Sequence, residues 1–182
     1  MKRMVILALG ILVILAALAS WAATQYRREN IASFAECSAT GYPILESYPP
    51  QCVTPRGQRF VQDIGNELEK TNLIRIDTPR PQQTVVGPII VSGQARGTWF
   101  FEASFPVTLL TTDGTVLVQT HAQASSEWMT EDFVPFTATI PVPENFTGAA
   151  TLVLERDNPS GLAENSDALY VPITITLSPA PY

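Results

Sequence analysis

The feature that most constrains this chain is an apolar alternation of period two, set most plainly between Gly97 and Leu109. Trp99, Phe101, Ala103, Phe105, Val107 and Leu109 fall on one parity, and Thr98, Glu102, Ser104 and Thr108 on the other. Side chains on a strand alternate between its two faces, so Thr98–Leu109 predicts a central strand buried on one side. On that parity Phe100 faces away from the core. The pattern recurs in Phe133–Val142, where Val134, Phe136, Ala138, Ile140 and Val142 oppose Pro135, Thr137, Thr139 and Pro141. It recurs again in Leu169–Leu177, with Leu169, Val171, Ile173, Ile175 and Leu177 opposite Tyr170, Pro172, Thr174 and Thr176. Leu73–Asp77, Pro88–Ala95, Thr115–Ala124 and Ala149–Arg156 complete seven candidate strands, separated by turn-rich segments such as Thr112-Asp113-Gly114, Glu144–Gly148 and Asp157–Ala168. Seven short strands with no helix between them predict an all-β, seven-stranded sandwich over 73–178. About 20 inward side chains at roughly 1.5 to 3 kcal/mol each give it an adequate core.

Ahead of this domain, Met4–Ala23 is a run of 20 residues without a charge, preceded by Lys2 and Arg3 and followed by Arg27 and Arg28. Roughly 20 apolar residues match the hydrocarbon core of a bilayer, whereas the apolar part of a cleavable signal is about 7 to 15 residues long. The run therefore predicts an uncleaved single-pass anchor, with residues 1–3 as a cytoplasmic tip and the rest of the chain extracytoplasmic. Ser20-Trp21-Ala22 keeps cleavage open as an alternative, and the lack of a cysteine at the end of the run excludes a bacterial lipoprotein anchor. The uninterrupted sequence beyond it predicts a helix continuing past the membrane.

The segment 24–64 carries that helical extension and then both cysteines of the chain, Cys37 and Cys52, among Gly41, Pro43, Pro49, Pro50, Pro55 and Gly57. It predicts a loop-rich module. Two cysteines behind an export signal read as one disulfide, contributing about 3 kcal/mol through the unfolded state. A structural zinc site needs four ligands and a catalytic thiol needs a histidine partner, and the segment offers neither. The run Cys37–Phe60, with Gly41-Tyr42-Pro43 and Glu46-Ser47-Tyr48-Pro49, resembles a short cysteine-stapled segment found behind membrane anchors in bacterial envelope proteins. Gly65–Asn72 is polar and predicts a linker or one helical turn at the domain boundary, and 179–182 a tail.

The residues Gly93-Gln94-Ala95-Arg96-Gly97-Thr98-Trp99-Phe100-Phe101-Glu102-Ala103, then Phe105-Pro106-Val107, Trp128 with Phe133–Phe136, Asn158-Pro159-Ser160-Gly161 and Val171-Pro172-Ile173 carry a second resemblance. Over about Ile74–Leu177 the chain is similar to the immunoglobulin-like domain family of bacterial spore germination proteins. The resemblance implies an immunoglobulin-like sandwich and a non-catalytic, extracytoplasmic module attached to other envelope parts, with no catalytic residues to carry over.

The remaining chemistry is sparse. A net charge of -6 and a pI near 4.7 argue against nucleic acid, whose phosphates select clustered Lys and Arg. His121, the single histidine, falls on a polar strand face and has no second histidine or nucleophile-elbow glycines to work with. Glu127, Glu131 and Asp132 near Trp128 could supply the carboxylate pair of an envelope hydrolase, the alternative to a binding or scaffold module. The oxygen-rich loop from Asp157 to Asp167 lacks the glycine and spacing of an EF-hand, which leaves calcium there open. No catalytic, cofactor or metal residue is assigned. Counting strand ends instead gathers the loops Arg96-Gly97, Ser125–Asp132 and Asp157–Ala168 at one pole. Phe100, Trp128 and Tyr170 beside them form the candidate surface for an envelope protein or a cell-wall polymer.

Overall fold

The computed structural model describes residues 12, 14–21 and 31–177, and the chain divides between Gln62 and Asp63 into two units, each with its own sheet. Residues 14–21 are helical, with Ile14, Leu15, Leu18 and Trp21 all exposed. Among the described residues no helix is long and apolar enough to cross a membrane, and most of the 4–23 run expected to do so lies outside them. The expected tail at 179–182 lies outside them as well.

In the first unit α1 (Phe34–Ala39) starts where Ser33 accepts a hydrogen bond from the Glu36 N–H at 3.1 Å, while Glu36 Oε2 accepts from the Ala32 N–H at 2.7 Å. Such a cap satisfies helix-end donors that would otherwise lack partners and contributes about 1 kcal/mol. Three short antiparallel strands follow in the order β1 (Ile44–Leu45), β2 (Gln51–Val53), β3 (Arg59–Val61). Cys37 on α1 and Cys52 on β2 form the expected disulfide, with Cα atoms 6.0 Å apart, and neither side chain is exposed. Ile31, Phe34, Tyr42 and Phe60 pack around it. The bridge holds together a module whose apolar content is too small to form a core alone.

The second unit has eight strands, so the described chain holds eleven and the expected count of seven is corrected. They are β4 (Ile74–Thr78), β5 (Thr84–Val86), β6 (Ile89–Arg96), β7 (Ser104–Thr111), β8 (Val116–Ala124), β9 (Phe133–Ile140), β10 (Gly148–Glu155) and β11 (Ala168–Thr176). Their hydrogen-bonded order is β4-β6-β9-β8-β7-β10-β11-β5. The ladder is full between most neighbours but narrows between β8 and β9 to Gln123↔Thr137 and Ala124↔Phe136. There it turns a corner, so that β4-β6-β9 forms one layer and β7-β10-β11 the other. Ile74, Ile76, Val91, Phe136 and Ile140 from the first share one core with Phe105, Leu109, Leu152, Val171 and Ile173 from the second. β9 and β11 alternate buried and exposed positions as their sequences require. The extra strand, β5, is three residues long and runs parallel to the end of β11.

A further correction concerns the start of an element. The strand expected over Thr98–Leu109 begins only at Ser104: Gly97–Trp99 is a 3-10 turn, and Phe101 and Ser104 exchange both backbone hydrogen bonds at 3.0 Å. Between them Glu102 and Ala103 have φ of 49° and 62°, as in a two-residue hairpin turn with both central residues left-handed. Residues 65–72, expected as a linker or one helical turn, carry such a turn and are bonded into the second unit. Asn66 Nδ2 donates to the Ala168 carbonyl at 2.9 Å and its Oδ1 accepts from the Tyr170 N–H at 2.8 Å. α2 (Glu67–Lys70) follows, with Glu67 paired to Arg80 and Lys70 to Asp167, each at 2.6 Å. Farther along β11, the Gln82 N–H donates to the Pro172 carbonyl at 2.6 Å and the Thr174 N–H donates to the Gln83 carbonyl at 3.0 Å.

Candidate contact surface at the three-loop pole

The three loops expected at one pole do meet there. β6 ends at Arg96, whose Nη1 donates to the Glu131 carbonyl at 3.1 Å, and the Gly97 N–H donates to the Asp132 carbonyl at 3.2 Å. The Arg96 and Arg75 guanidinium carbons each lie 4.1 Å from the centroid of the Phe133 ring, fixing the start of β9 by cation–π attraction. From the third loop the Asp157 N–H donates to the Trp99 carbonyl at 3.0 Å and Arg156 Nε donates to the Thr98 carbonyl at 3.0 Å. The backbone polar groups of the 97–99 turn are thus satisfied by both neighbouring loops, which lets the turn sit over the buried Trp99.

The three aromatic candidates are not brought together. Phe100, expected to face solvent, is only 5 % exposed; its ring meets Phe105 edge-on at 5.2 Å, and Phe105 meets Phe136 at 4.9 Å. The 3-10 turn shifts the parity, so Phe100 turns inward and Phe101, expected in the core, is 43 % exposed. Trp128 is half-buried and packs against the core. Tyr170 is exposed on the outward face of β11, where Val153 is its cross-strand partner. A hollow of about 250 Å³ at the pole is lined by Gly97, Thr98, Phe100, Trp128, Met129 and Thr130. Sequence parity missed the side chains that do stand out around it. Met129 is 74 % and Leu162 52 % exposed, on the second and third loops. A larger groove of about 640 Å³ at the opposite end is lined mainly by Pro88, Pro141, Val142, Pro143, Phe146 and Leu177.

The polar groups of the loops are largely engaged with their own backbones. Glu127 Oε1 accepts from the Met129 N–H at 3.0 Å and Thr130 Oγ1 from the Asp132 N–H at 3.2 Å. In the third loop Asn158 Nδ2 donates to the Leu162 carbonyl and to Ser166 Oγ, and Ser160 Oγ donates to Asn158 Oδ1. Among the described residues no group of three or more His, Cys, Asp or Glu side chains is placed to hold a metal ion. His121 is exposed on β8 opposite Pro106 and hydrogen-bonds no described side chain. What the pole can do chemically is offer a small, largely apolar hollow on loops that also carry several carboxylates.

Two antiparallel layers around one core, with a short strand parallel to the last, make the second unit an immunoglobulin-like sandwich. Residues 73–163, half of the chain, match the family described as the immunoglobulin-like domain of bacterial spore germination, and the chain belongs to that family. No curated protein and no solved structure matches it.

Proposed function

We propose that the chain is a membrane-anchored, extracytoplasmic binding or scaffold module of the bacterial envelope, which holds a partner protein or wall polymer and catalyses no reaction. The observation that carries this reading is the pole itself: a sandwich presents three loops, the first hydrogen-bonded to both others, with a small hollow and exposed apolar side chains. Binding residues commonly sit on loops positioned by such a scaffold. The charge-free run at 4–23 and the Cys37–Cys52 disulfide support an anchored chain in an oxidising compartment. A hydrolase at the acidic residues would need a carboxylate pair aimed across a cleft, and the Glu127 carboxylate is instead turned onto its own loop.

Site-specific photo-crosslinking in intact envelopes tests the reading. A photoreactive residue at Met129 should give a discrete adduct, and one at the exposed Thr139 on the outer face of β9 should not. The absence of adducts from every pole position would overturn it.

A further inference from the structure

We propose that the pole docks a cationic, apolar segment of a partner protein, not an anionic wall polymer. This rests on the binding-module reading and adds the chemistry of the partner. The hollow beside Trp128 and the exposed Met129 supply a centre that gains by losing water, and Phe101 and Leu162 extend apolar surface onto the two other loops. Around them stand Glu102, Glu127, Glu131, Asp132, Asp157 and Glu164, none in an ion pair among the described residues.

Residues 97–104, 125–132 and 157–167 contain no Lys, Arg or His. The cations that do face the pole are Arg75, Arg96, Arg156 and, farther back, Lys70; Arg75 and Arg96 stack on the Phe133 ring, and Arg75 Nε donates to the Thr71 carbonyl at 2.8 Å. Arg96 donates to the carbonyls of Asn72 and Glu131, Arg156 donates to that of Thr98, and Lys70 neutralises Asp167. Six carboxylates therefore face three arginines, each already donating to backbone carbonyls. An apolar centre within a rim of one sign is the arrangement that steers an oppositely charged partner and then holds it by burial. A polyanion would meet repulsion over a Debye length of about 8 to 10 Å.

The test uses the full chain in nanodiscs of zwitterionic lipid and three labelled peptides of equal apolar content, one rich in Lys, one in Ser and one in Glu. Fluorescence anisotropy should show the Lys-rich peptide binding about tenfold more tightly than the Ser-rich one, and the Glu-rich peptide and polyglycerol phosphate not binding. Raising the salt from about 50 to about 500 mM should remove the preference. A triple variant Glu127→Gln, Glu131→Gln, Asp132→Asn, whose new amide oxygen at position 127 can still accept from the Met129 N–H, should bring the Lys-rich peptide to the Ser-rich level. Met129→Ser should weaken the Lys-rich peptide even at high salt. Equal affinity for all three peptides, binding of the polyphosphate, or an unchanged affinity in the triple variant would overturn the proposal. If the triple variant does not fold, the salt series on the natural chain decides. Crosslinks from Met129 that persist alongside a failed peptide series would remove only the partner's chemistry, whereas loss of the crosslinks would remove the binding module itself.

Discussion

Gly97 is needed for lack of a side chain, because a Cβ there would lie 2.0 Å from the Thr130 carbonyl oxygen and 2.2 Å from that of Trp128. Both obstacles are backbone atoms, and the Trp128 carbonyl accepts from the Thr130 N–H at 2.8 Å, so neither can swing aside as a side-chain tip would. Gly97→Ala is expected to cost about 3 kcal/mol, the upper part of the overpacking range, and to lower Tm by about 10 °C. Gly114→Ala is the comparison: with open space around it and φ of +85°, it should cost only about 1 kcal/mol. Thermal melts of the two variants check the ranking, and equal losses would count against the close approach as the cause. Next to Gly97, Trp99 is 1 % exposed and its Nε1 has no hydrogen-bond partner among the described residues. Such an orphan donor costs about 1 to 3 kcal/mol, which burial of so large a ring is able to offset.

At the scale of elements, the Phe101–Ser104 turn decides where β7 begins, and Glu102-Ala103 is a poor sequence for it. Left-handed backbone penalises a Cβ, so Ala103→Gly should raise stability by about 0.5 to 1 kcal/mol, read as a shift in the denaturant midpoint at unchanged slope. A loss of stability instead would contradict a left-handed conformation at that position. The other hairpin, between β7 and β8, follows its sequence closely. Asp113 accepts from the Thr111 hydroxyl and from the Thr115 N–H, and these bonds lower its pKa below the ordinary 3.8. A carboxyl lowered on folding stabilises fully above its unfolded pKa, and that contribution is lost as the pH falls through the lower folded value. Asp113→Asn should therefore lower stability slightly at neutral pH and flatten its fall as the pH drops below about 4, so that acid-dependent melts of the two chains converge in acid. The contrast between the two hairpins shows what was legible. Thr112-Asp113-Gly114 announces its turn, as the one-sided burial of β9 and β11 announces their alternation. Glu102-Ala103 announces nothing: both residues continue the odd–even pattern on paper, so parity alone puts Phe100 and Phe101 the wrong way round. β5 and the strands of the first unit, at two or three residues each, are too short to show any period.

For the molecule as a whole, an anchor at 4–23 predicts that the full-length chain remains in the membrane pellet after salt and carbonate washes, because apolar insertion resists both. Soluble protein beginning near Ala23 would show cleavage in its place. The gathering of three loops at one pole was readable from the strand count alone, since each connection between antiparallel strands of a sandwich switches ends. Which side chains stand up there was not, because that depends on turns whose residues do not advertise them. The edge of the last strand has its own consequence. From 168 to 176 the outward peptide groups of β11 are largely occupied: Asn66 supplies one side-chain amide in the place of a neighbouring strand, Gln82 and Gln83 supply two backbone groups, and β5 pairs with the end. Pro172, within that stretch, has no N–H to offer. A strand from a second copy finds no row of free donors and acceptors there to extend, so this edge is protected from the lateral addition that leads to fibres. Domains built this way can be crowded on one surface without fusing along this side.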